Sequence, residues 1–417
     1  MRKIKIGLFG VGMRGKSFYD NIRACSGEIV AVCDFNEGYL KNAKEALGAE
    51  LATYSDFDDF INHEGLEAIL VSNYFHEHAP YSIKALAKDL HVLSECSSNG
   101  TMADGVALVR ACEKSKAFFM IAENYPYMIF NQEMRRVYQS GVLGKAIFCE
   151  GEYNHPLDPK DFKLVKHLCP SSKHWRYNLP RAYYVTHALA PLMLATGAFP
   201  KRLSCMPCYC PGPNDHVTTL TKGVPEKAAI ITILNDDSSV FRVTGCAAFG
   251  HHENSYRICG ENGQIENLRD GTDRVLLSFD EWSVPEGMKR ISTYSPEWDK
   301  SVKAEAEKAG HGGGDYFVIK EFFDCIREGR RPVMDEYFAT AMASVGILAH
   351  RSMLENGTTY DVPDFRKEED RALWENDRIS PFFGTDGSVP TIRSTNFEDF
   401  NFTQEAKQSY DELMKTI

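Results

Sequence analysis

The 417 residues carry 58 acidic and 47 basic side chains, a net charge of −11, and are 43% hydrophobic, 12% aromatic and 25% charged. These are proportions of a folded globular chain with room for two or more domains, and they exclude a disordered chain, a fibre and a membrane bundle. The acidic balance leaves no basic footprint for nucleic acid.

The N-terminal apolar run is short and glycine-broken, unlike a signal peptide, and no stretch of 18 apolar residues suggests a membrane helix. The expectation is a cytoplasmic chain, with no membrane partner, whose 12 cysteines remain mostly buried thiols. Strand signals at 3–9, 28–33, 66–72, 90–94 and 118–122 alternate with helix signals at 16–25, 36–47, 80–87 and 103–115. That alternation predicts a doubly wound parallel sheet. After residue 123 comes a helix near 131–140. Longer strands then follow at 145–153, 202–209, 228–235 and 240–247, predicting an open, mostly antiparallel sheet. Helices are predicted at 315–328 and 337–356. The last sixty residues are polar, with Pro363, Pro381 and Pro390, and end in a helix near 403–415. The fold class is therefore α/β plus α+β, with a cofactor domain over 1–122, a substrate domain over 123–365 and a C-terminal extension over 366–417. Cys205, Cys208, Cys210 and His216 have zinc-like spacing but lack a second pair, so no metal is expected. The pair His251-His252 reads as a surface or turn feature.

Gly10-Val11-Gly12-Met13-Arg14-Gly15 lies between the first strand and the first helix. The first glycine permits the turn, the second admits a pyrophosphate, and the third lets helix and strand pack. Asp34 closes the second strand, where a carboxylate can accept the ribose hydroxyls of NAD and would repel a 2′-phosphate. This predicts a Rossmann domain that binds NAD.

With those residues in place, the chain resembles the Gfo/Idh/MocA oxidoreductases. Asn73-Tyr-Phe-His-Glu-His78 looks like their fourth-strand loop, and Glu95-Cys96-Ser97 looks like their Glu-Lys-Pro segment with the lysine and proline replaced. Tyr183 and Ala190 stand where two acids flank the family histidine, here His187. The departures fit better with glycoside hydrolase family 109 and the glycoside 3-dehydrogenases. Glu123-Asn124 with Tyr127, Glu150 to His155, Trp175-Arg176, Tyr184 to His187, and His311 to Tyr316 are similar to stretches of those enzymes.

Hydride transfer from a sugar needs a base for the hydroxyl proton, and His187, His155, Tyr184 and Tyr153 are candidates. The resemblance implies hydride abstraction at a ring hydroxyl of a carbohydrate or glycoside, at C3, which either stops at the keto-sugar or continues through elimination, hydration and reduction as a glycosidase cycle. His187 is then expected to serve the ring hydroxyl, Tyr184 to act at C2 or to orient the sugar, and His155 to assist the C1 group. Tyr153, His311, Arg176 and Tyr127 would contact substrate. Gly10, Gly12, Met13, Arg14, Gly15, Asp34, Asn73, His78, Glu95, Cys96, Asn124 and Trp175 would line the cofactor. The alternatives are a non-catalytic NAD-linked sensor or scaffold and a plain polyol or inositol dehydrogenase. The open sheet predicts a homo-oligomer, dimer or tetramer.

Overall fold

The computed structural model describes residues 2–156, 161–209, 226–396 and 404–416. The chain forms two compact units. The first comprises Met1–Gln132, Pro296–Thr340 and Asp364–Asn376; the second comprises Glu133–Ser295, Ala341–Pro363 and Asp377–Ile417.

In the first unit, strands β1 (Ile4–Phe9), β2 (Gly27–Cys33), β3 (Ala52–Tyr54), β4 (Ala68–Val71), β5 (His91–Ser94) and β6 (Phe119–Ile121) form a parallel sheet. Their order is β3-β2-β1-β4-β5-β6. All four residues of β4 are fully buried, as expected of a central parallel strand covered on both faces. The order reverses between β1 and β4, so the crevice at their carboxyl ends is the topological switch point where such sheets take ligands. Two local features differ from the sequence reading. The first helix begins at Met13, directly after Gly12, and is interrupted at Phe18 before Tyr19–Ala24. The glycines depress helix propensity and hide that early start. The three-residue β3 and the single turn Phe57–Phe60 are too short to give a periodic signal.

In the second unit, strands β7 (Ala146–Asn154), β8 (Pro200–Tyr209), β9 (Glu226–Asn235), β10 (Val240–Ala247), β11 (Glu253–Gly260), β12 (Gly263–Asn267), β13 (Val275–Phe279), β14 (Ile291–Tyr294) and β15 (Tyr360–Asp361) form the second sheet. Its order is β14-β13-β12-β11-β7-β10-β9-β8-β15. The β7–β10 pair is parallel and the other pairs are antiparallel. The apolar helix Thr186–Thr196 lies across β7, with every residue from Thr186 to Ala195 buried. Gly151 permits that approach: a Cβ there would lie 2.0 Å from the Ala188 carbonyl oxygen.

The C-terminal residues contribute to both units. In the second, Arg351 makes a bidentate pair with Asp377 at 2.6 Å. Tyr410 and Met414 of the helix Gln404–Thr416 pack on Val165, Cys169 and Tyr177. The Asp411 carboxylate accepts both the amide and the hydroxyl of Ser172. Among the described residues no cysteine is bridged, no cluster could hold a metal, and no helix is long and apolar enough to cross a membrane. Cys205 is buried in β8, whereas Cys210 and His216 lie outside the described residues.

Candidate active site

The glycine loop of the first unit closes on itself. Gly10 has φ +86°, and a Cβ there would meet the Ser72 carbonyl at 2.5 Å; one at Gly15 would lie 1.9 Å from the Gly10 oxygen. Gly12 differs, since its nearest neighbour would be the Tyr39 ring at 3.4 Å. Its hydrogen side is therefore not filled by backbone, as close approach of a pyrophosphate requires. Asp34 accepts the amides of Val11 and Asn36, both at 2.8 Å, tying the end of β2 to the loop. Burial pushes its pKa up, against the pull of those two amides. Met13 is exposed at the first helical position.

Around this loop the first unit assembles a carboxylate-centred network. Arg14 donates to Glu95 at 2.6 Å and to both oxygens of Asp315 at 2.9 and 3.1 Å. Burial opposes the guanidinium charge, and Glu95 and Asp315 outweigh it, raising the pKa. Asp315 also accepts from Asn124 Nδ2 at 2.7 Å and contacts His311 Nδ1 at 2.9 Å. Burial disfavours its charge, but His311 and Arg14 hold it below the usual carboxylate range. Cys96 donates its thiol to the fully buried Glu123 at 3.1 Å. His78 begins the helix His78–Leu86. Its ring nitrogens face the carbonyls of Ser97 and Asn73, at 2.7 and 3.4 Å, and burial pushes its pKa down. A neutral ring donates to only one of these carbonyls, and that of Ser97 is the nearer. Tyr127 closes a short 3-10 turn, half-buried.

The buried polar atoms of this unit fit NAD. Both amide atoms of Asn73 and Oδ1 of Asn124 are buried without a protein partner among the described residues. Buried amides left open in this way suit a polar ligand. Together with the loop and Asp34, they are the residues that would hold the dinucleotide.

The second unit gathers the acid–base candidates. Tyr153 (3% exposed) sits on β7, and His187 occupies the first turn of Thr186–Thr196. Their ring centroids are 4.7 Å apart, edge to face. Tyr184 lies 5.1 Å from His187 and 5.6 Å from Tyr153, and His155 lies 5.7 Å from Tyr153. Tyr256 donates its hydroxyl to the His187 carbonyl at 2.6 Å, fixing the helix start. Trp175 is buried, with the Arg176 guanidinium stacked 4.3 Å above its ring. Tyr183, by contrast, packs edge-on against Phe382 and His350, and Ala190 is fully buried. Both Tyr183 and Ala190 belong to the core.

Three participants are not evident from sequence. His252 does lie in a bend, yet its ring is 4.2 Å from that of His155. Glu123 stands out in sequence only as the neighbour of Asn124. Asp315 has the look of a helix N-cap, but Gly313 holds that position and Asp315 lies inside the first turn. His311 lies before that helix, so no helical spacing announces its contact with Asp315.

Comparison with known proteins agrees with this architecture. Residues 4–123 match the oxidoreductase family, NAD-binding Rossmann fold. Residues 252–372 match the glycosyl hydrolase 109 C-terminal domain. A glycosyl hydrolase family 109 protein of Saccharopolyspora erythraea is 24% identical, the match covering 93% of this chain and 87% of that one. An alpha-N-acetylgalactosaminidase of Shewanella oneidensis is 22% identical, with 90% and 87% covered. Levoglucosan dehydrogenase, solved with NADH and L-sorbose, superposes with a TM-score of 0.71 at 17% identity, over 87% of this chain and all of that one. The chain thus joins an NAD-binding Rossmann domain of the Gfo/Idh/MocA oxidoreductases to a C-terminal domain of the glycosyl hydrolase 109 type.

Proposed function

We propose that the protein is an NAD-dependent enzyme that works on a sugar or glycoside through a ring hydroxyl, at C3, and completes a glycosidase cycle. The observation that carries this reading is the contact of Tyr153, Tyr184 and His187, with ring centroids 4.7 to 5.6 Å apart and His155 beside them. The names of the alpha-N-acetylgalactosaminidase and the levoglucosan dehydrogenase support a carbohydrate substrate.

NAD, when bound, supplies a hydride acceptor. His187 removes the proton of the ring hydroxyl. The ketone so formed acidifies the hydrogen on C2, and Tyr184 takes that proton. His155 protonates the departing C1 oxygen. Water adds at C1, and reduction of the ketone leaves no net redox change. Tyr153, Tyr127, His311 and Arg176 hold sugar hydroxyls, and Trp175 shields the cofactor. Cys96 leaves the nicotinamide side without the fixed charge of a lysine, so proton transfer falls to the histidines and tyrosines.

The test is incubation with NAD and a panel of aryl glycosides, beginning with an α-N-acetylgalactosaminide, in deuterated water. Aglycone release with substoichiometric NAD and deuterium at C2 is expected. One NADH per sugar without aglycone would instead identify a simple dehydrogenase, and His187→Ala with undiminished turnover would remove His187 from the reaction.

A further inference from the structure

A carboxylate can only accept hydrogen bonds, so its partners reveal where their protons lie. His311 Nδ1 stands 2.9 Å from Asp315 Oδ2, so Nδ1 carries the proton and donates. In the neutral ring this leaves Nε2 as an acceptor. Asn124 Nδ2 donates to Asp315 Oδ1 at 2.7 Å, so the amide cannot be turned over, and its carbonyl Oδ1 faces away. That oxygen is buried with no partner among the described residues, on a residue only 2% exposed. One carboxylate therefore fixes the Asn124 carbonyl and, in the neutral form of the ring, His311 Nε2 as acceptors on its two sides, while Arg14 holds the carboxylate itself. Around His311 and Arg14 also lie the Tyr125 ring, 6.0 Å from His311, Glu95, which pairs with Arg14, the Phe18 ring, 4.2 Å below the guanidinium, and the Ser17 hydroxyl.

We propose that Asp315 is a positioning residue that presents His311 Nε2 and Asn124 Oδ1 as a fixed acceptor pair for the hydroxyl groups of a polyol ring. Hydroxyls satisfy both acceptors without bringing a charge, whereas an anionic group would find no donor there. Two rings offer such hydroxyls, the nicotinamide ribose of the cofactor and the sugar substrate. The assignment rests on the reading of an NAD-dependent sugar enzyme, and NAD titration keeps the two separable, because it reads out whether or not a glycoside turns over.

The experiment compares Asp315→Asn, His311→Ala, Asn124→Ala and the Asp315→Asn/His311→Ala and Asp315→Asn/Asn124→Ala double variants with the wild type. NAD dissociation is measured by calorimetry, and KM and kcat with the best glycoside of the panel. An asparagine at 315 has one acceptor atom and turns a donor toward one of its neighbours. Losing a hydrogen bond to a charged group predicts a ten- to hundred-fold effect, to order of magnitude about ten-fold per partner. A weaker NAD complex with unchanged KM assigns the pair to the ribose; a raised KM with unchanged NAD affinity assigns it to the sugar. Each double variant is expected to be little worse than its worse parent, because Asp315 acts through the other two. Multiplicative effects, or no change in NAD affinity and KM, would overturn the proposal. If Asp315→Asn does not fold, His311→Ala, at a position 42% exposed, carries the same two measurements and they are read in the same way.

Discussion

Taken one residue at a time, the three glycines of the loop have separable duties. Gly15 is closed off by protein, since its Cβ would lie 1.9 Å from the Gly10 carbonyl oxygen and 3.0 Å from Ser72 Oγ. Gly12 faces nothing nearer than Tyr39 at 3.4 Å. Gly15→Ala is therefore expected to lower stability by about 3 kcal/mol, the upper end for forced overpacking, because backbone cannot move aside as a side chain can. Gly12→Ala is expected to keep the urea midpoint of the wild type while weakening NAD about ten-fold or more, by blocking the approach of the pyrophosphate. Urea denaturation and NAD titration on both variants check the split. A Gly12→Ala protein that binds NAD normally would contradict the loop assignment. Two site acids show the same division of labour. Asp34 is tied to the loop by backbone amides, and Asp315 is tied to it by Arg14. The first is legible as the end of a strand, while the second lies 301 residues from its partner and no local pattern could announce it.

Among the elements, the helix Glu336–Leu354 meets the C-terminal segment through a buried histidine. His350 is fully buried, and its Nε2 donates to the Arg393 carbonyl at 2.8 Å. Burial pushes its pKa from 6.5 to about 4. Above about pH 6.5 the ring is neutral folded or unfolded, and stability is at its full value. Between 6.5 and 4 the unfolded chain binds a proton that the folded one refuses, so stability falls as pH falls, and the loss is complete below about 4. The full drop is worth roughly 3 kcal/mol. His350→Gln keeps a donor for Arg393 and removes the titration, so its urea midpoint is expected to decline less steeply than the wild type over that window. Equal slopes would refute the assignment. Burial also decides which elements are visible in sequence. The long apolar periods at 36–47 and 103–115 and the buried strand β4 are legible from pattern alone, because burial imposes a repeat. Strands β11 to β14 are not, because they run for only four to eight residues, β11 does not alternate cleanly and β14 has no buried position to impose a repeat. The Tyr153–Tyr184–His187 cluster is legible as residue types, but its convergence depends on Gly151 letting a helix settle on β7.

For the molecule as an assembling unit, the second sheet has one face covered by the helix Thr186–Thr196 and another that its side chains leave partly open. On that open face the cross-strand register lines up Thr232, Arg242, Glu150, Arg257, Glu266 and Leu276. Glu150 pairs with Arg242 and with Arg257. A parallel row places Leu234 opposite Val240, Val240 opposite Phe148 and Phe148 opposite Cys259. Leu234 is 37% exposed, although its neighbours Ile233 and Asn235 are buried. A face that alternates an ion-paired row with an apolar one suits pairing with a second copy, whose rows can meet it about a two-fold axis. We propose a dimer or tetramer formed through this face. Light scattering at micromolar concentration is expected to give a mass of two or four chains. Val240→Glu adds a charge to the apolar row without touching the ion-paired one. It should shift the mass toward one chain while the urea transition of the chain remains, since the site is half-exposed. A wild-type mass of 47.0 kDa, one chain, would refute the pairing, and an unchanged oligomer in Val240→Glu would place the contact on another surface.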